Sequence, residues 1–240
     1  MNPASRAFWA LKEREPAVRA ALHQRRRDAV VAGLRTRAFW RRNPLDLDIH
    51  PTVRIGRDVR IDLLTLPDVP LRLHIGPGTR IGDRVHFLLH PGADIEIGAD
   101  TDVRHDVVLN THGALRIGDG CHLSWGTVVH VSNRVVLADA VGVAERVTIA
   151  DSTHRFSEPG RSVYHTTVPG EVTIGTATWV CPNACVTRNV HIGAHCIIGS
   201  GSTVVRDVPD GHLATGVPAT NTPITLPWAT ALAEARRDAP

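Results

Sequence analysis

"IGDGCHLSWGTV", Ile117 to Val128, decides the fold. Cut into sixes, it places an aliphatic residue first (Ile117, Leu123), a small one second (Gly118, Ser124) and a small one fifth (Cys121, Thr127). The frame extends in both directions. Upstream stand IGRDVR (55–60), IGPGTR (75–80), IGDRVH (81–86) and IGADTD (97–102); downstream stand LADAVG (137–142), VAERVT (143–148) and IADSTH (149–154). It stops there and resumes as IGTATW (174–179), VCPNAC (180–185), VTRNVH (186–191), IGAHCI (192–197) and IGSGST (198–203). One large and one small inward position per six predict short strands joined by sharp bends, wound into a solenoid with a narrow aliphatic interior. Ile149 and Thr153 read as the last inward positions before the break.

The coil length follows from the same positions. Ile55, Ile75, Ile97, Ile117 and Leu137 are about 20 residues apart, whereas Ile174 and Ile192 are 18 apart. Eighteen is three sixes, so each coil has three faces. The extra residues of the longer coils are expected at one corner, around Leu115–Arg116 and Val135–Val136. Leu137 and Ile174 are 37 apart, so one coil carries an excursion, expected at 155–171 and beginning just after His154.

Composition agrees with a solenoid. Aromatics are only 4% of the 240 residues, and there are 20 Gly and 16 Pro, suited to many turns. No apolar run approaches the ~20 residues of a membrane helix. Charges interrupt Ala7 to Val31, so no signal-peptide pattern is present, and a cytoplasmic protein with no transmembrane segment is expected. The four cysteines form no C-x-x-C pair and read as small reduced thiols. Residues 1–42 hold 11 Arg/Lys against 3 Asp/Glu, and the remainder is net negative. Residues 4–40 read as helix, with Pro16 breaking it into two segments. "RAFW" occurs at Arg6–Trp9 and Arg37–Trp40, and these aromatic pairs are expected to anchor the helices on the body. The division is thus a basic helical segment (1–44), a solenoid (49–218) and a C-terminal tail with a short helix (219–240).

Over about residues 49–209 the sixes resemble the hexapeptide-repeat family, the left-handed parallel β-helices. The family supplies the left hand, since parallel crossovers are ordinarily right-handed. It also implies a homotrimer with sites between neighbouring prisms. "IIGSGSTVVRDVPDGHLATGVPA" (197–219) is similar to the closing coil of its acyltransferases, and "ATW" (177–179) to their segment V-W-I-G. "DSTHRF" (151–156) falls where they carry a catalytic histidine before a protruding loop. The best match is to the branch that O-acetylates sugars and polysaccharides.

That resemblance implies an acyltransferase taking acetyl-CoA or another acyl-CoA, with His154 as general base, a hydroxyl-bearing small molecule or glycan as acceptor, and neither metal nor nucleic acid. A neutral imidazole can take the proton of an alcohol as it attacks a thioester. Asp151 either orients His154 or serves as a turn aspartate. Carried over residue by residue, Ser200, Gly201 and Ser202 line the acyl-CoA groove. Arg206 faces CoA phosphates or makes a surface ion pair, and Trp179 flanks the pantetheine or packs a corner. Arg155, Arg161, Tyr164 and His165 are the loop candidates for the acceptor. The sequence departs from the family at Cys181, Arg188–Asn189 and Thr220–Asn221. Two other classes share the scaffold. One is a γ-carbonic-anhydrase-like zinc protein, which needs two histidines five residues apart, and no pair here has that spacing. The other is a non-catalytic binding or assembly module.

Overall fold

A computed structural model describes residues 3–155 and 166–224, with side chains from Ala20 onward. The chain is mainly β. Three sheets of parallel strands form the walls of a prism, and the chain visits them in turn. The first sheet stacks Leu45–Ile49, Leu71–Ile75, Asp94–Ile97, Ala114–Ile117, Arg134–Leu137, Glu171–Ile174 and Val190–Ile192. The second is built from two-residue strands such as His122–Leu123 and Trp179–Val180 and closes on two longer ones, His212–Gly216 and Ala219–Pro223. The third runs from Arg60–Leu63 to Thr203–Val204. The chain turns at a first corner between the first and second sheets, then at a second corner. A third corner leads to the first sheet of the next coil.

Alternation within each strand buries every second residue. Leu115, Val135 and Val172 stack in register, as do Leu123, Val143 and Val180, and all are buried. Phe87 is the one aromatic ring in this core among the described residues. The small fifth position has a second purpose beyond fitting the narrow interior. Thr79, Thr101 and Thr178 donate their hydroxyls to Gly98, Gly118 and Gly193 carbonyls at 2.7, 2.9 and 2.8 Å. Cys121 and Cys196 donate their thiols to Ala138 and Pro209 carbonyls in the same way. Each inward donor satisfies a corner carbonyl of the next coil. Burial raises both thiol pKa values, keeping them protonated for this role. The small second position is set by coil spacing: a Cβ on Gly98 would lie 2.7 Å from the Gly118 carbonyl carbon.

Three positional expectations are corrected. Ile55 pairs with Ile81 in the second sheet, and Ile49 is the residue beneath Ile75. The first coil is longer than 20 residues because segment 64–70 bulges from it, so a count of 20 lands on the wrong face. The extra residues of the longer coils sit at the third corner, around Ser132–Asn133; Leu115–Arg116 and Val135–Val136 are strand residues of the first sheet. The strands also reach beyond 49–218, from Leu45 to Pro223, with Ala219–Pro223 pairing antiparallel to His212–Gly216.

The basic segment is one helix, α1 (Pro3–Trp40), which continues through Pro16. A proline costs an interior helix about 3 kcal/mol, and the helix-favouring Ala, Leu, Arg and Glu on both sides offset it. The helix lies on the open end of the first coil. Leu34 and Ala38 are buried there, Arg37 and Arg41 donate to the Ile61 and Leu63 carbonyls, and Asn43 donates to Leu66 and Val69. The strand edges that would otherwise be exposed are thereby covered. The second "RAFW" pair does not anchor it: Phe39 and Trp40 are 77% and 78% exposed, packed edge to face on each other. Helical spacing from the buried Leu34 and Ala38 turns them outward. The side chains of the first pair and the expected C-terminal helix lie outside the described residues, and no helix described is long and apolar enough to cross a membrane.

Candidate active site

The repeat opens at the third corner of the fifth coil. One coil earlier this corner is closed by backbone alone: His112 and Ala114 amides donate to Val131 and Asn133 carbonyls of the coil above. At the next level no such carbonyls are available, because the chain departs. Asp151 takes their place. Its Oδ1 accepts the Ser132 amide, and its Oδ2 accepts those of Asn133 and Arg134, each at 2.7 Å. The residue is fully buried.

Asp151 is therefore not the orienter of His154; both its oxygens are committed to the corner, as a turn aspartate's would be. The physical reason is accounting. Three amides face a departing chain, and a carboxylate can accept from all three.

Beyond Asp151 the chain forms a hairpin off the prism. Ser152–His154 pairs antiparallel with Thr167–Pro169, aligning His154 with Thr167. Its neck is clamped by the Arg155 amide on the Thr166 carbonyl (2.9 Å) and the Thr166 hydroxyl on the Arg155 carbonyl (2.6 Å). Thr153 is exposed, not an inward residue, because this strand no longer has a prism interior to face. His154 is exposed, and its imidazole has no hydrogen-bond partner among the described residues. The chain rejoins the first sheet at Gly170, where Asn133 donates to the carbonyl. A Cβ here would lie 2.2 Å from Asn189 Oδ1 and 2.4 Å from Arg188 Cγ, so any larger residue would have to push those side chains aside.

Arg155 is exposed at the hairpin's open end; Arg161, Tyr164 and His165 lie outside the described residues. Arg206 is exposed at the same third corner, two strands along the third sheet from Ile149. That separation is about 10 Å at ordinary strand spacing. Ser200 and Gly201 are exposed at the second corner, across the third sheet from His154. Ser202 is buried instead: its hydroxyl accepts the Gly216 amide at 3.1 Å, so it is an inward peg like Thr178. Trp179 is 53% exposed on the second sheet, between Gly142 and Ile197. One chain thus brings His154, Arg155 and Arg206 to one edge and leaves Ser200 and Gly201 on another.

The sequence reading missed three histidines on the His154 edge. His90 and His112 stack with ring centroids 3.5 Å apart, and His130 lies 6.0 Å from His112. Asn110 bonds His130 at 3.0 Å. Partial burial lowers the pKa of both His90 and His112, and repulsion from neighbouring imidazoles lowers them further. They stand neutral near pH 7. The signal was available: His90 and His112 differ by one coil length, so they had to stack.

No family model matches the chain. Among curated proteins, the bifunctional protein GlmU of Stenotrophomonas maltophilia (strain K279a) is 32% identical over 198 residues, which are 72% of this chain and 40% of that one. The probable acetyltransferase Rv3034c of Mycobacterium tuberculosis (strain ATCC 25618 / H37Rv) is 30% identical over 129 residues, 53% of this chain and 43% of that one. The chain thus spans about two fifths of the length of these relatives. Among solved structures, a mutant of AntD, an N-acyltransferase from Bacillus cereus in complex with dTDP and coenzyme A, aligns with a TM-score of 0.53 at 17% identity. The alignment covers 76% of this chain and 89% of that one, and it shows the shared fold.

Proposed function

The chain belongs to the hexapeptide-repeat acetyltransferase family, and on that premise we propose that it transfers acetyl from acetyl-CoA to a hydroxyl of a sugar or glycan, with His154 as general base. The observation that carries this reading is the opened corner. At this corner the solenoid is interrupted, a buried carboxylate holds the gap, and the clamped hairpin carries an exposed histidine.

The imidazole of His154 takes the proton of the acceptor hydroxyl as its oxygen attacks the thioester carbonyl. The new C–O bond forms while the carbonyl electrons move onto oxygen, where a backbone amide can stabilise them. Collapse of this intermediate breaks the C–S bond. The departing thiolate then takes the proton back from His154, restoring the neutral base. Positioning of the two substrates supplies much of the remaining rate, so one base suffices.

Arg206, on the same edge, faces the phosphates of CoA. Ser200, Gly201 and Trp179 belong to other faces, so they complete the groove only from a second copy, which supports a homotrimer as the working form. The stacked His90 and His112, both held neutral, offer uncharged imidazole edges to the hydroxyls of an acceptor below His154. Thiol release from acetyl-CoA, measured across a panel of sugars and glycans, tests the proposal. His154→Ala should abolish release without changing the assembly, and undiminished turnover would overturn the reading.

A further inference from the structure

The face that α1 turns away from the prism is uncovered among the described residues. Its inward side is fixed by packing: Leu34 and Ala38 are buried, Val30 and Val31 lie against the aliphatic core, and His23 bonds the Ile55 carbonyl through Nδ1. Residues out of phase with that stripe face outward. Leu22, Ala29, Ala32 and Thr36 are exposed there, and Phe39 and Trp40 end the row. These two rings are the most exposed large apolar side chains among the described residues.

The apolar surface continues onto the first coil. Arg41 donates to the Leu63 carbonyl, and Asn43 donates to those of Leu66 and Val69, which seats segment 64–70 against the end of α1. Leu64 and Leu66 are 43% and 54% exposed. Large apolar side chains gathered in water at one end of a molecule mark an interaction surface.

Charge decides what covers it. From Ala20 to Arg42 the chain carries seven arginines and one acidic residue, Asp28. Arg27 takes Asp28. Arg25, Arg35 and Arg42 are exposed and make no ion pair among the described residues. The chain beyond residue 42 is net negative. This face therefore suits an anionic partner, and it opposes the same face of a second copy, which would bring the same arginines. The partner must also offer aliphatic surface to Leu22, Leu64 and Leu66. Nucleic acid offers phosphates and base faces, on which aromatic rings stack but branched aliphatic chains do not. A bilayer of anionic lipid offers both: phosphates in the headgroup layer and acyl chains beneath.

We propose that α1 docks the protein on an anionic membrane surface, with Phe39 and Trp40 at the boundary of headgroups and acyl chains and Arg25, Arg35 and Arg42 on lipid phosphates. Tryptophan favours that boundary because its ring is apolar and its N–H is polar. The helix lies on the membrane and does not cross it. The net-negative prism points away, because the same surface repels it. Nothing in this inference depends on the chemistry at His154.

Co-sedimentation of the full chain with lipid vesicles tests it. Vesicles of equal parts phosphatidylglycerol and phosphatidylcholine should carry the protein down, and phosphatidylcholine alone should not. Binding should weaken as salt rises, since exposed charges are screened. Phe39→Ala combined with Trp40→Ala should lower partitioning at least about tenfold. Arg25→Gln combined with Arg35→Gln should lower it about thirtyfold. All four side chains are exposed, so both double variants should keep the parent's thermal unfolding midpoint. The proposal is overturned if anionic vesicles do not carry the protein down at low salt, or if the Phe39 and Trp40 double variant sediments as the parent does. It is equally overturned if that variant dissociates the assembly measured by light scattering, because the face would then belong to a second copy. Tighter binding to a single-stranded RNA oligonucleotide than to the vesicles would overturn it in favour of nucleic acid.

Discussion

The third corner exists in two forms, and the contrast between them explains the site. At His112–Ala114 it is closed by main-chain carbonyls of the coil above. At Ser132–Arg134 the same amides meet the Asp151 carboxylate, because the chain has left the prism. The closed form repeats and carries no projecting strand. The open form frees a strand that ends in His154. A solenoid can afford such a gap only where one side chain replaces the lost backbone acceptors.

Removing the replacement should have the largest effect. Asp151→Ala leaves three amides without their acceptor in a buried corner and should lower unfolding free energy by about 3–5 kcal/mol. Urea denaturation measures it, and a loss below about 1 kcal/mol would break the comparison. Asp151→Asn should cost less, since an amide oxygen still accepts. His154→Ala removes nothing from the corner. Its urea midpoint should match the parent while kcat falls about 10²–10⁴-fold.

The closed corner below has its own pH signature. His90 and His112 titrate below the ordinary imidazole value when folded, chiefly through burial, with repulsion from His130 on both and from His90 on His112 adding to it. The unfolded chain therefore binds more protons in the interval just below pH 6.5. Stability should be complete above that value and fall as pH drops through the folded pKa values. Thermal unfolding from pH 7.5 to 5 should show this, and His112→Gln should flatten it. The smallest effect belongs to an ordinary corner. Ala140 holds φ at 58°, a left-handed conformation that suits glycine better. Ala140→Gly should raise stability by about 0.5 kcal/mol, the strain relieved exceeding the entropy lost. A decrease would show that this corner is not strained.

Much of this was legible in the sequence. The sixes specify the prism because an inward residue must be aliphatic or small wherever three walls converge. The break after His154 was legible because Leu137 and Ile174, neighbours in the first sheet, are 37 residues apart. The role of Asp151 was not, because its partners precede it by 17 to 19 residues and are backbone amides that no motif records. Ser202 stands at the small inward fifth position of its six (198–203), as its burial bears out; it was the motif carried from relatives, which does not say which side of the wall a hydroxyl faces, that put it in the groove.

By itself, then, the sequence determined the periodicity, the three walls, the point of departure and the histidine that stands there. Those follow from local alternation between buried and exposed positions. Only the tertiary structure decided what closes the gap, which edge each candidate occupies, and that α1 turns Phe39 and Trp40 outward. Those depend on contacts between coils and between coil and helix, where residues distant in sequence meet.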